Sequence, residues 1–337
     1  MSDSRPPLAP WIATQLQSLL TQRGHAWLLA GPSGLGQFEL ALALVSAWLC
    51  EHPSAQGACG QCSSCHAIEV HTHADLFVLM PELTQLDLGW TVIDKAPEET
   101  QVSSDGDGKK RKPSKEIKVE AMREAVEFAQ RTNARGRGKA VLVFPAERMN
   151  VYTANALLKT LEEPPGDVKF VLATEAAHQL LPTIRSRCLG HNMVWPDQND
   201  ALQWLQQNGM SAAQATVALH AAGDRPQDAL AFAPIADMWR TLPQAVKRGD
   251  VSVFKDWLPA QTVDALHKIC HDALALKAGA QPRFFEPTDI PQSGSWQGLT
   301  DWAKSLALTM RTVEHPFSQG LMQEALVRQA QMAFNSR

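Results

Sequence analysis

The chain has 337 residues, of which 45% are hydrophobic and 20% charged, the composition of a globular protein with room for two or three domains. Its formal net charge of −4 at pH 7 argues against a surface coated with nucleic-acid-binding charge, although a local basic patch stays open. The sequence has no apolar run of 18 residues and begins without the basic and apolar regions of a signal peptide, so it predicts no membrane span and a cytoplasmic location.

Apolar runs of strand length alternate with helical patterns in the first part of the chain. The predicted strands cover residues 26–30, 75–79, 140–144, 170–173 and 189–195, and the two clearest helical patterns cover 119–131 and 154–162. Strands that alternate with helices indicate a parallel sheet with helices on both faces. The sequence therefore predicts an α/β domain over residues 1–195.

A glycine-rich loop follows the first predicted strand. Residues 31–38 read Gly-Pro-Ser-Gly-Leu-Gly-Gln-Phe, in the strand–loop–helix context of the phosphate-binding pattern G-x-x-x-x-G-K-[ST]. Gly31 and Gly36 stand at its glycines, which let backbone N–H groups converge on an anion. Gln37 replaces the lysine that contacts the β- and γ-phosphates, and Phe38 replaces the hydroxyl that binds Mg²⁺. The loop keeps the scaffold of a nucleotide site without its reactive side chains.

Four of the six cysteines cluster after the next helical segment. Cys59, Cys62 and Cys65 follow successive C-x-x-C spacings, and Cys50 lies near the end of the helix that precedes them. Four thiolates at about 2.3 Å form the closed shell of a structural zinc site, which we predict for residues 50–66. Three histidines are alternatives to Cys50 as the fourth ligand: His66, His71 and His73. Free buried thiols, a redox pair and an iron–sulfur cluster are the competing interpretations.

Residues 94–116 combine proline, glycine, serine and both signs of charge without apolar periodicity. This composition predicts a flexible insertion. The insertion contains the basic run Lys109-Lys-Arg-Lys112, which can contact DNA, although a solvated loop is the favoured interpretation.

The strand predicted at 140–144 ends where an ATPase of this kind needs an acidic pair. Pro145 and Ala146 occupy those positions, whereas an acidic pair would hold Mg²⁺ and polarise the attacking water. Glu147 comes two positions late and is expected to point elsewhere. Because the lysine, the hydroxyl and the acidic pair are absent together, the sequence predicts that this chain does not hydrolyse ATP. Weak nucleotide binding by the loop amides stays open.

After Trp195 the predicted strands stop. Residues 196–236 show short helical patterns, and residues 237–337 show longer ones, interrupted by a proline-containing loop. We therefore predict a small helical domain over 196–236 and a larger all-α domain over 237–337.

Three segments carry a family resemblance. Residues 155–165 read Asn-Ala-Leu-Leu-Lys-Thr-Leu-Glu-Glu-Pro-Pro, residues 170–174 read Phe-Val-Leu-Ala-Thr, and residues 181–188 read Leu-Pro-Thr-Ile-Arg-Ser-Arg-Cys. Together they resemble the AAA+ clamp-loader subunits of bacterial DNA polymerase III. With the cysteines inserted after the first helix, the chain is similar to a loader subunit that does not itself hydrolyse ATP. The resemblance covers about residues 27–188 and fades beyond them.

The resemblance implies roles for single residues. Ser186-Arg187-Cys188 matches the family's S-R-C motif, whose arginine reaches into the ATP site of the adjacent subunit, although Arg187 can instead make only a local ion pair. Thr174 stands at the position of a polar sensor. Gln227 stands where these ATPases carry a second sensor arginine, with Arg225 offset by two.

The resemblance also implies an architecture and an assembly. The architecture is an AAA+ core with a P-loop NTPase-like parallel sheet over 1–195, a small helical lid over 196–236 and a C-terminal oligomerisation collar over 237–337. The assembly is a hetero-pentamer with delta and gamma/tau subunits, which loads the beta sliding clamp onto primed DNA for the DNA-directed DNA polymerase holoenzyme. The alternatives are an active gamma/tau-type ATPase and a zinc-containing DNA-binding protein.

Overall fold

The computed structural model describes residues 7–90, 113–313, 315 and 318–337. Most of the predicted flexible insertion at 94–116, with its basic run at 109–112, lies outside the described residues. The chain divides into two compact units, Met1–Asp197 and Gln198–Arg337.

The first unit is built on one five-stranded sheet. Its strands are β1 (Ala26–Ala30), β2 (Leu76–Leu79), β3 (Lys139–Val143), β4 (Val168–Thr174) and β5 (Leu189–Asn192). They lie in the order β2-β3-β4-β1-β5, and every neighbouring pair is parallel. The predicted parallel α/β fold is therefore confirmed.

Helices connect these strands. They are α1 (Pro10–Leu20), α2 (Gln37–Leu49), α3 (Ser63–Glu69), α4 (Glu82–Asp87), α5 (Val119–Gln130), α6 (Val151–Glu162) and α7 (Pro182–Arg185). All five residues of β3 are buried, as expected where helices cover both faces of a parallel sheet. The Asn150 side chain caps α6 by accepting a hydrogen bond from the Thr153 backbone N–H at 3.0 Å.

One strand is shorter than predicted. The predicted strand ran to Trp195, but β5 ends at Asn192, which pairs with Ala30, the last residue of β1. Beyond this point the Met193 N–H donates to the Ala30 carbonyl at 2.7 Å. The ladder ends there because β1 turns into the glycine loop and offers no further extended backbone.

Among the described residues of the second unit, all the regular secondary structure is helical. Its helices are α8 (Gln198–Gln207), α9 (Ala212–Ala221), α10 (Pro226–Leu230), α11 (Ala236–Trp239), α12 (Leu242–Arg248), α13 (Pro259–Lys277), α14 (Trp296–Thr312) and α15 (Gln319–Phe334). One apolar cluster lies within residues 201–229, and a larger one within 221–334. The division of this unit into two domains near residue 236 stays a prediction.

Among the described residues, none of the helices combines the length and the apolar character that crossing a bilayer requires.

Candidate functional site

The carboxyl ends of the central strands carry the nucleotide-site candidates. The glycine loop follows β1, Pro145 follows soon after β3, and Thr174 ends β4. In the register of the sheet Ala30 pairs with Thr174, so these segments meet at one edge. Ligands of open α/β sheets bind at this edge. The side chains there therefore determine which nucleotide chemistry the site can support.

Gln37 closes the glycine loop from inside. Its amide Nε2 donates to the carbonyls of Gly31 at 2.7 Å and Pro32 at 2.6 Å, and the residue is only 2% exposed. Gly36 adopts the left-handed φ of 94° that lets the chain turn into α2. The position of the phosphate-binding lysine is thus taken by a neutral amide bound to the loop's own backbone.

Phe38 belongs to an aromatic cluster. Its ring centroid lies 5.3 Å from that of Phe144 and 5.8 Å from that of Trp90. Trp90 in turn stacks on His71 at 3.7 Å. At the position where an ATPase offers a hydroxyl to Mg²⁺, this chain therefore places a phenyl ring that packs against other aromatic rings.

Pro145 and Ala146 provide no carboxylate, and Glu147 is committed to another partner. The Thr174 hydroxyl donates to Glu147 Oε2 at 2.6 Å, and the Glu175 N–H donates to Oε1 at 3.2 Å. A 3₁₀ turn over Ala146–Arg148 directs the carboxylate to the end of β4. This contact also engages the hydroxyl of Thr174, the residue at the sensor position.

Arg187 lies just beyond α7. Its Nε donates to Glu162 Oε1 at 2.6 Å, its Nη2 contacts the same oxygen, and its Nη1 donates to the Thr183 carbonyl at 2.8 Å. Ser186 Oγ also donates to the Thr183 carbonyl, at 3.2 Å, and burial raises the pKa of the Cys188 thiol to about 11. The local ion pair that the sequence left as an alternative is present, and Glu162 is a partner that the motif did not reveal.

The second-sensor region lies in the helical unit. Gln227 is part of α10. Arg225 donates to the Ala222 carbonyl at 2.7 Å and lies 2.9 Å from the carboxylate of Asp228. Arg225 thus contacts residues close to it in sequence, at the start of α10 and just before it.

The four clustered cysteines converge. The sulfurs of Cys50, Cys59, Cys62 and Cys65 all lie within 4.8 Å of one another, and three of the pairs are 3.7, 3.8 and 4.0 Å apart. A tetrahedral ion with sulfur ligands at about 2.3 Å requires sulfurs about 3.8 Å apart. The spacing therefore suits a metal ion, and all four cysteines are free thiols.

None of the three histidines that competed for the fourth position joins the cluster. His71 stacks on Trp90, and His66 Nδ1 lies 3.8 Å from Glu69. His73 Nε2 lies 3.0 Å from Ser64 Oγ, while its Nδ1 accepts the Asp75 N–H at 3.0 Å. Cys50 is brought in because it caps the end of α2.

Backbone amides and burial act in opposite directions on the thiols. The N–H groups of Gln61 and Cys62 lower the pKa of Cys59 to about 6, whereas burial raises the pKa of Cys65 to about 12. A cation at the centre would favour the thiolate form of all four, since metal binding requires deprotonated sulfur. The arrangement can hold a metal ion in a closed shell.

A polar network that sequence reasoning missed lies beside this cluster. Glu51 accepts hydrogen bonds from Ser63 Oγ at 2.6 Å and Arg135 Nη1 at 3.2 Å. The buried Asp75 accepts from the N–H groups of Ala134 and Arg135 at 2.7 and 2.9 Å. The Glu51–Arg135 contact connects the cysteine segment to the loop before β3 across 84 residues of sequence, a separation that no local motif signals.

Comparison with known proteins gives consistent findings. Residues 10–194 match the family described as DNA polymerase III, delta subunit. The chain is 32% identical to DNA polymerase III subunit delta' of Pseudomonas aeruginosa over 74% of each chain. It is 30% identical to the Escherichia coli protein of the same name over 77% of this chain and 76% of that one. A solved gamma subunit-related protein of Thermotoga maritima is 17% identical over 96% of this chain and 99% of that one, with a TM-score of 0.47.

The family match spans more than half of the chain, and both relatives reach 30% identity over about three quarters of it. These findings confirm the resemblance carried by residues 155–165, 170–174 and 181–188. The chain therefore belongs to the delta' family of DNA polymerase III clamp-loader subunits.

Proposed function

We propose that this chain is a clamp-loader subunit that does not hydrolyse ATP itself and supplies Arg187 to the ATP site of a neighbouring subunit. Its assembly is a hetero-pentamer with delta and gamma/tau subunits, which loads the beta sliding clamp onto primed DNA for the cytoplasmic polymerase holoenzyme. The curated relatives carry the name delta', which supports this role.

The observation that carries the proposal is the self-closed glycine loop. The Gln37 amide is buried and bound to two carbonyls of the loop, so it offers no positive charge to a phosphate. Phe38 and Phe144 replace Mg²⁺ ligands with apolar surface. Phosphoryl transfer depends on positioning and on charge stabilisation, and this site provides neither.

The role of Arg187 follows from what a guanidinium can do beyond its own subunit. The side chain stands after the short helix α7 and is 30% exposed, which leaves it accessible to a partner. An arginine supplied in trans to a transferring phosphoryl group contributes about 10³ to 10⁵ in rate. The chain can therefore promote hydrolysis at a site it does not contain.

The test compares two arginines of this chain, Arg187 and Arg185, in the reconstituted loader. Arg187→Ala should lower the DNA-dependent ATPase activity, with the step at the neighbouring site slowed about 10³-fold or more, while the subunits still assemble. Arg185→Ala removes a similar exposed charge two residues earlier and should leave turnover unchanged. Full turnover with Arg187→Ala would reject the trans role. Turnover by the purified chain alone would instead favour a gamma/tau-type ATPase.

We also propose that Cys50, Cys59, Cys62 and Cys65 hold one structural zinc ion. The spacing of the sulfurs supports a tetrahedral ion. Zinc would supply positive charge that stabilises four neighbouring thiolates, and four protein ligands leave it no open position for catalysis. The Cys59 N–H donates to Cys50 Sγ at 3.2 Å and the Cys65 N–H to Cys62 Sγ at 3.4 Å, so the backbone already orients two of the ligands. Metal analysis of freshly purified, reduced protein should find about one zinc per chain.

A further inference from the structure

We propose that Glu162 is a positioning residue for Arg187: it fixes the orientation of the guanidinium that reaches into the neighbouring ATP site. This inference rests on the proposed trans role of Arg187. It adds Glu162, at the end of helix α6, to the residues that serve this role. It also gives this surface carboxylate a function other than stabilising its own helix.

The contacts of Arg187 hold its guanidinium on two sides. Glu162 takes the Nε and Nη2 groups through a single carboxylate oxygen, and the Thr183 carbonyl takes Nη1. A guanidinium has five N–H donors in a rigid planar fork. Three are engaged by described residues of the chain, and the other two, one on Nη1 and one on Nη2, have no partner among those residues and can bind the oxygens of a phosphate.

The position of Glu162 is unfavourable for its own helix. It is the last residue of α6, and Glu163 follows it as the C-cap. A carboxylate at a helix C-terminus faces the negative end of the helix dipole, which is unfavourable for the helix. Of the two glutamates, Glu162 is the one with Arg187 as its partner.

The pair is also too exposed to matter much for folding. The side chains of Arg187 and Glu162 are 30% and 48% exposed, and ion pairs in such surroundings stabilise a fold little. The pair instead fixes the orientation of the Arg187 guanidinium. A catalytic group that is fixed before the reaction loses no further freedom in the transition state. Loss of Glu162 should leave the finger present but free to rotate.

The experiment uses the complete reconstituted loader with primed DNA and varies the ATP concentration. Glu162→Gln keeps the size of the side chain and removes its charge. Its matched control is Glu163→Gln, which neutralises the adjacent exposed glutamate. We expect Glu162→Gln to lower kcat about tenfold at the neighbouring site, given that displacing a group by about 1 Å can cost up to 10²-fold. The KM for ATP should change less than about twofold, since the finger acts on charge that develops in the transition state.

The double variant Glu162→Gln with Arg187→Ala connects the two residues. If Glu162 acts through Arg187, the double variant should be no slower than Arg187→Ala alone, and the thermal midpoint and subunit assembly of Glu162→Gln should match those of the wild type. Independent, multiplying effects would overturn the inference, as would a faster Glu162→Gln loader or one that fails to assemble.

Two results separate this inference from the function on which it rests. If Arg187→Ala slows the loader but Glu162→Gln behaves like Glu163→Gln, Glu162 has no positioning role and the trans finger stands. If Arg187→Ala has no effect, the trans finger itself is wrong.

Discussion

The two ends of helix α2 differ in whether the chain's own side chains fill the site there. The helix runs from Gln37 to Leu49, a length of about 20 Å. At its N-terminus Gln37 satisfies the glycine loop with the chain's own amide. At its C-terminus Cys50 joins three other sulfurs, and all four lie within 4.8 Å of one another. The N-terminal end is closed by the chain's own side chain, whereas the sulfurs at the C-terminal end are spaced so that they can hold a metal ion.

The difference lies in whether the chain's own groups already satisfy the polar atoms at each end. A neutral amide and a phenyl ring complete the nucleotide end by ordinary hydrogen bonding and burial, so nothing there needs a ligand. The cysteine end combines a thiol whose pKa is lowered to about 6 with a buried one whose pKa is raised to about 12. Burial favours the protonated form of Cys65, whereas a bound cation would favour the thiolate form of all four cysteines.

The largest effect should come from breaking the cysteine end. Cys65→Ser should abolish metal binding and lower the free energy of unfolding by several kcal/mol, less than the about 10–16 kcal/mol of peptides that zinc alone folds. Metal analysis and urea unfolding measure the two losses. Cys270→Ser, a buried thiol of the helical unit whose Sγ contacts the Leu299 carbonyl at 3.4 Å, should keep the metal. If the metal-free Cys65→Ser variant were as stable as the wild type, the ion would have no structural role.

An intermediate effect should come from rebuilding the nucleotide end. The double variant Gln37→Lys with Phe38→Thr restores the phosphate-binding pattern, yet it should remain without ATPase activity because Pro145 and Ala146 still provide no acidic ligand. It should also lose about 3 kcal/mol of stability, since truncating a buried phenylalanine leaves a cavity. Measurable ATP turnover together with wild-type stability would show that the loop is closed less firmly than its contacts indicate.

The smallest effect should be a difference in pH dependence between the two ends. Burial lowers the pKa of His73, beside the cysteine segment, and of His71, which stacks on Trp90. A histidine with a lowered pKa binds protons more readily when unfolded, so the stability it supports is present above about pH 6.5 and is lost as the pH falls below that value. Both ring nitrogens of His73 are engaged, so it should contribute more.

Urea unfolding between pH 5 and pH 8, with metal content followed in parallel, measures this dependence. His73→Gln should flatten the loss of stability towards low pH more than His71→Gln does. Equal slopes in the two variants would mean that the hydrogen bonds of His73 add nothing to its burial.

Local patterns predicted much of the first unit. The strand 26–30 was predicted at its observed bounds, and the predicted strand 170–173 lies inside β4, which runs from Val168 to Thr174. Strand-length apolar runs between helical patterns have few other solutions than a covered parallel sheet. The predicted end of β5 was wrong because the length of a strand depends on its partner strand. The partner β1 stops at Ala30, so β5 has nothing to pair with beyond Asn192.

The sequence by itself determined that the residue types of an ATPase site are absent at three positions, since Gln37 replaces the lysine, Phe38 the hydroxyl and Pro145 a member of the acidic pair. It also determined that three cysteines stand at metal-ligand spacing. Only the tertiary structure decided that Gln37 binds its own loop, that Cys50 is the fourth sulfur, and that Glu162 meets Arg187 across 25 residues of sequence. Residue type fixes which chemistry is available, whereas pairing between distant side chains depends on how the whole chain packs.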